Sequence, residues 1–273
     1  MAADFEDWHS EDLLPDAQVG RPLRLLRRVE RDLMQRATYT STTSHALAAA
    51  LQRALGGATP VVLTNSFPLQ PDPARSPHAG PPAFFWFSQT IGPGRGLEPF
   101  LAAWRQTRPT SRVCLLGDVS DAFREELLRS LPAERRASLE FLPITSPEAL
   151  PSLIARHDIG LALEASTPAS RNLTITNKIL QYLNAGLPVV ASDTAGQREV
   201  LGRAPDAGLL VTLADTATLT QKLDAVIADP ARLAAMSAAA RRAAENIYCW
   251  EKEEPRLLAA VQGALAAPLP APS

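Results

Sequence analysis

A basic excess, paired cysteines and long apolar runs are all missing from this sequence. Its 273 residues carry 27 Lys and Arg against 29 Asp and Glu, a formal net charge of -2. A nucleic-acid surface needs a dense basic face, and none stands out, so DNA and RNA are not expected partners. The two cysteines, Cys114 and Cys249, stand far apart and lack metal-ligand spacing. That leaves a disulfide framework unsupported, gives no reason to expect a metal, and suggests a reducing compartment. Cys114 sits in Val113-Cys114-Leu115-Leu116, where it reads as a small buried hydrophobe. No apolar run is long enough to span a bilayer. The opening Ala2-Ala3-Asp4-Phe5-Glu6-Asp7-Trp8 is acidic and has neither the basic start nor the apolar middle of a signal peptide. A cytoplasmic protein is the expectation, with peripheral membrane contact through a basic segment left open.

Hydrophobic residues, by contrast, make up 46% of the chain, enough for a substantial core. The length allows one large α/β domain, or one full domain plus part of another. Near the front, Arg21 to Arg36 carries Leu25, Leu26, Val29 and Leu33 among arginines, an amphipathic helical pattern whose basic residues read as a solvated face. Ser44 reads as the cap of an alanine-rich helix, and Val61-Val62-Leu63 as a short buried strand. Pro68, Pro71, Pro73, Pro77, Pro81 and Pro82 then crowd one stretch. Proline fixes φ and removes backbone donors, so a linker falls there, over residues 71–82.

Beyond the linker, short apolar strands alternate with helices. Strands are expected at Phe84 to Phe87, Val113 to Leu116, Leu139 to Leu142, Ile159 to Leu163 and Val189 to Ala191. Helices fall between them, at Leu97 to Gln106, Ala122 to Leu131, Pro147 to Arg156 and Thr176 to Asn184. This alternation predicts a doubly wound parallel sheet covered on both faces. Such sheets hold ligands at the carboxyl ends of their strands, so the loops after Phe87, Leu116, Leu142, Leu163 and Ala191 are where chemistry is expected. Helical stretches follow at Asp215 to Ala228, Pro230 to Ala244 and Trp250 to Ala266, with a frayed Pro-Leu-Pro-Ala-Pro-Ser end.

Three loops carry candidates. Ser88 to Glu98 is glycine-rich, with Gly92, Gly94 and Gly96 around Arg95. Glycine lets backbone approach a ligand, a helix start favours an anion, and an arginine suits a phosphate. An ordinary strand-to-helix turn with an exposed arginine fits this loop equally well, and it matches neither a Walker loop nor a dinucleotide fingerprint. The second loop leads into Thr176-Asn177-Lys178-Ile179-Leu180-Gln181. Lys178 in a first turn opposes the helix dipole, a conflict that an anionic ligand would relieve. Gln181, nearly a turn on, faces the same way. Ile179, Leu180 and Leu183 read as plain core. The third is Asp193 to Glu199, a small-residue turn into a short helix.

In combination these residues resemble retaining glycosyltransferases of the GT-B fold, the glycosyltransferase group 1 or family 4-like proteins. Gly92 to Glu98 resembles their phosphate loop. Asn177-Lys178, Tyr182 and Gly186-Leu187-Pro188-Val189-Val190 resemble their NK..EY...G.PVV block, and His157-Asp158-Ile159-Gly160-Leu161 their aD strand. Order and spacing agree over roughly Phe84 to Val211, and Trp250-Glu251 resembles the start of the terminal helix that crosses back to the first domain. The resemblance implies a Rossmann-like nucleotide-sugar-binding domain at 83–245 and a crossover helix at 246–266. Residues 1–70 are then a partial first domain on the acceptor side, since that family's opening glycine-rich loop is not found.

The implied donor is a nucleotide-diphosphate sugar, acting as substrate, with no further cofactor. Gly92, Arg95, Gly96, Asn177 and Lys178 would hold the diphosphate, and Thr176, Gln181, Ala195 and Gly196 the ribose and sugar. The family has glutamate where this chain has Gln181, and its other glutamate falls near Leu173. The stretch between Asp158 and Gln181 is also longer than usual. Retaining, metal-independent transfer is the implied reaction, with a glycan, lipid or small-molecule acceptor. No residue is singled out as catalytic; Glu6 and His9 lie near the expected cleft, where a helix-start or surface role also suits them. The rival expectation is a non-catalytic or partner-dependent subunit, with a second chain completing the first domain.

Overall fold

The computed structural model describes residues 1–71 and 80–266. Its strands are β1 (Ala2–Phe5), β2 (Tyr39–Thr42), β3 (Val61–Val62), β4 (Ala83–Ile91), β5 (Arg112–Val119), β6 (Leu139–Leu142), β7 (Ile159–Ala162), β8 (Val189–Ser192) and β9 (Gly208–Val211). The helices before the fourth strand are α1 (Leu23–Arg36) and α2 (His45–Leu55). Those after it are α3 (Leu97–Trp104), α4 (Asp121–Arg129), α5 (Ala133–Arg136), α6 (Leu150–Ile154), α7 (Ala169–Leu173), α8 (Asn177–Asn184), α9 (Ala195–Arg203), α10 (Thr216–Ile227), α11 (Pro230–Asn246) and α12 (Trp250–Ala266). Most of the expected 71–82 linker, and the Pro-Leu-Pro-Ala-Pro-Ser end, lie outside the described residues.

Six parallel strands form the main sheet in the order β6-β5-β4-β7-β8-β9. The alternation along β4 shows why both faces are covered. Phe84 and Trp86 point into a layer with Phe100 and Trp104 of α3 and Leu223 of α10. Phe85 points the other way, to Ile179, Tyr182 and Leu183 of α8 and Ala240 of α11. Cys114 is buried in this second layer, as its apolar run suggested. A Rossmann-like α/β sheet covered on both faces is thus what the patterning encodes, in agreement with what the GT-B resemblance implies.

The order of connection creates a switch point. From β4 the chain moves outward through β5 to β6, then returns to build β7, β8 and β9 on the other side of β4. A crevice opens at the carboxyl ends of β4 and β7, where an open α/β sheet takes its ligands.

The front of the chain makes a separate sheet of parallel strands, β1-β2-β3. Phe5, Met34, Leu47, Leu51 and Leu55 form its core, with α1 and α2 on it. Ser44 caps α2, accepting from Leu47 N at 2.9 Å. The amphipathic pattern of α1 misleads in detail. Leu25 and Val29 are 59% and 45% exposed, and Met34 and Glu30 turn inward instead. Glu30 Oε1 accepts the Ser10 N–H at 2.9 Å, while its Oε2 is buried without a partner among the described residues.

The two sheets are tied at their facing edges. Ser44 Oγ donates to Leu173 O at 2.6 Å, and Trp8 N donates to Ser170 Oγ at 3.1 Å. Near the other end, Trp250 N donates to Phe67 O at 2.9 Å. The buried carboxylate of Glu253 on α12 accepts from Thr64 Oγ1 at 2.8 Å and pairs with Arg256 at 3.1 Å.

Candidate functional site

The switch-point crevice is a cleft of about 800 Å³. Its lining follows the sheet order. Ile144 after β6, Leu116 on β5 and Phe87 on β4 come first, with Gln89 beside them, and Glu164 lies just past β7. Thr176, Asn177, Lys178 and Gln181 come from α8 and its cap, and Glu6, Asp7 and Asn65 from the front sheet. Strands spaced about 4.8 Å apart make β6 to β7 about 14 Å across, from an apolar side to a charged one.

The start of α8 supplies the charge. Thr176 occupies the N-cap in extended conformation, but its hydroxyl makes no capping bond and is buried without a partner. Gln181 Oε1 is likewise buried and unpaired. A buried polar atom left unpaired costs about 1–3 kcal/mol, so both atoms are a local cost in the cleft wall. The helix ends in a tight motif: Leu187 N bonds Tyr182 O at 2.8 Å and Gly186 N bonds Leu183 O at 2.9 Å, with Gly186 at φ +67. Glycine is required there because the left-handed turn disfavours a side chain. Tyr182 is fully buried, and burial pushes its hydroxyl well above the ordinary range of a tyrosine. Its hydroxyl donates to Phe85 O at 3.0 Å, which pins the helix to the sheet.

Lys178 does not point freely into the cleft. Its Nζ lies 2.9 Å from Glu164 Oε1, each side chain 15% exposed, and 5.6 Å above the ring of Trp86. The carboxylate offsets the conflict between a first-turn cation and the helix dipole. Glu164 is the residue that the sequence reading missed. The signal was available, because it directly follows the Leu163 strand end to which the sheet rule points. Asn65, Arg171, Ile144 and Thr145 also line the cleft without having been singled out.

The other expected donor residues, Gly92, Arg95, Gly96, Ala195 and Gly196, lie outside that lining. Gly96 takes a left-handed conformation at φ +77, and a Cβ there would come within 2.9 Å of both Leu163 Cβ and Leu213 Cδ1. The turn carrying half-buried Arg95 therefore abuts the residue that precedes Glu164. Within the loop, Gly94 N donates to Glu98 Oε1 at 3.1 Å. Gly92 precedes this turn. Ala195 N donates to Asn172 Oδ1 at 3.1 Å, and a Cβ on Gly196 would overlap the Thr174 carbonyl. The long stretch between β7 and α8 thus covers the start of α9. Glu6 lines the cleft and accepts from Asn65 Nδ2 at 2.5 Å. His9 is exposed beside Asp12, 3.8 Å away, and does not line it.

Residues 81–229, more than half of the chain, match the model of the family described as glycosyl transferases group 1, and the chain belongs to that family. It is 29% identical over 165 residues to the GDP-mannose-dependent monoacylated alpha-(1-6)-phosphatidylinositol monomannoside mannosyltransferase of Corynebacterium glutamicum. That alignment covers 58% of this chain and 42% of the relative, so the chain spans under half of that protein. Among solved structures, Anabaena HepE in complex with UDP and glucose superposes with a TM-score of 0.71 at 20% identity, covering 92% of this chain and 70% of HepE. Sucrose-phosphate synthase from Thermosynechococcus elongatus gives 0.76 at 17% identity, over 98% and 68%. At these identities the structures speak for the fold.

Proposed function

We propose that this chain transfers a sugar from a nucleotide-diphosphate donor, with retention and with side-chain cations rather than a metal on the leaving group. The observation that carries the reading is the cleft at the switch point, apolar toward β6 and cationic at Lys178. A base fits against Leu116, Ile144 and Leu150, and a diphosphate against Lys178 and the Arg95 turn. The ribose and sugar fall near Thr176 and Gln181, which line the cleft beside Lys178. In the transition state, charge grows on the departing diphosphate, and fixed cations there lower the barrier. Gly92, Gly96 and Asn177 complete the diphosphate side, and Ala195 and Gly196 reach the sugar only through the stretch that covers them.

The relative's name supplies GDP-mannose and a lipid-linked acceptor, and HepE supplies UDP and glucose. Both donors are candidates here, and a lipid, glycan or small molecule is the acceptor class. A second reading is donor binding without turnover unless a partner chain completes the cleft. It is favoured by Leu173, which packs against the front core where the family resemblance calls for a carboxylate. The test is nucleotide release from UDP-glucose and GDP-mannose, with and without candidate acceptors. Release abolished by Lys178→Ala supports transfer. Tight donor binding with no release under any acceptor supports the second reading.

A further inference from the structure

Diphosphate binding leaves Glu164 unexplained. A carboxylate beside an anion site repels the anion, yet this one is fixed against the very cation proposed to bind it. Its position is not accidental slack: Glu164 N donates to Ser192 Oγ at 2.7 Å, which holds the end of β7 to β8. Oε1 is taken by Lys178 Nζ. Oε2 accepts no hydrogen bond among the described residues, is not shut away from solvent, and belongs to a residue of the cleft lining.

The other carboxylates on the cleft are likewise engaged through one oxygen each, but neither pairs with Lys178. Glu6 holds Asn65, and Asp7 Oδ1 accepts from Ser170 Oγ at 3.4 Å and Thr174 Oγ1 at 3.5 Å. Leu173 and Gln181 carry no charge. Glu164 is therefore the carboxylate with an unused acceptor oxygen beside the phosphate-binding cation. Neutral hydroxyls suit that oxygen, since they donate to a carboxylate and add no charge next to Lys178.

We propose that Glu164 binds hydroxyls of the donor's sugar, with Lys178 shared between this carboxylate and the diphosphate. The assignment rests on the donor reading above. It makes Glu164 a residue that distinguishes a nucleotide sugar from the bare nucleoside diphosphate.

Calorimetric titration of the full chain with UDP against UDP-glucose, and GDP against GDP-mannose, tests it. In Glu164→Gln and Glu164→Ala the ratio of sugar-bearing to bare nucleotide affinity should fall tenfold or more. Bare nucleotide affinity should hold or rise, because a repelling charge is gone; retained binding also shows that the variants fold. A change by the same factor for both ligands, in either direction, overturns the assignment and leaves Glu164 as a group that only positions Lys178. If the unaltered chain binds neither nucleoside diphosphate, the donor reading itself fails, and this assignment with it.

Discussion

Gly160 on β7 packs against the ring of Tyr182 on α8 so closely that a Cβ on Gly160 would collide with it. The contact locks the helix that carries Lys178 and Gln181 to the strand that leads to Glu164. Gly160→Ala should therefore cost about 1–3 kcal/mol through overpacking. Because the strain falls on α8, nucleotide affinity should drop with stability. Tyr182→Phe keeps the ring and loses the bonds to Phe85 O and, at 3.4 Å, Leu161 O, so about 1 kcal/mol is expected. Urea unfolding of the two variants measures the difference.

The front sheet is docked through a helix terminus. Glu199 on α9 accepts from His45 N at 3.0 and 2.9 Å and from Ala46 N at 3.3 Å, so its carboxylate sits on the start of α2. Glu199→Ala should destabilise the chain by about 1 kcal/mol, the usual worth of a helix-terminal partner. Glu199→Gln, which keeps an acceptor but no charge, should cost less. Thermal melts of both variants check the ranking.

Alkaline pH should weaken the fold before acid does anything at these groups. Burial, reinforced by Glu140, pushes the Cys114 thiol from 9.0 to about 12, and burial pushes the Tyr248 hydroxyl from 10.0 to about 12. Both are raised in the folded state, so the folded chain holds protons that the unfolded chain releases. Their stabilisation is fully present below about pH 9 and is lost as pH rises toward 12. Unfolding free energy measured from pH 8 to 11.5 should decline, and Cys114→Ala should flatten the early part of that slope. The slope, not the absolute stability, is the readout, because alanine also leaves a small void.

The fold was legible where burial dictates the pattern. Every residue of Phe84 to Trp86 faces a packed layer, and so do Val113 to Leu116 and Val189 to Ala191, so these strands stand out as apolar runs. The strands β1 and β2 do not, because they carry polar side chains: Ser41 Oγ donates to Asp4 Oδ1 and Thr42 Oγ1 to Phe5 O. For the site, Lys178 was found because a first-turn cation is locally unfavourable, and Gln181 by its helical spacing. Glu164 was not, although the sheet rule points to its loop, since a lone acid after a strand carries no local conflict and its partner lies 14 residues on. That Ala195 and Gly196 are covered by the Thr174 stretch depends on tertiary packing that no local pattern encodes.

Donor binding at this cleft requires a diphosphate held at Lys178 beside the Arg95 turn. Calorimetric titration of the chain with UDP and with GDP, repeated on Lys178→Ala and Arg95→Ala, tests this most directly. Saturable binding of at least one diphosphate is predicted, weakened tenfold or more by each substitution, which is about 1.4 kcal/mol. Binding of neither diphosphate, or binding that both substitutions leave unchanged, would contradict it.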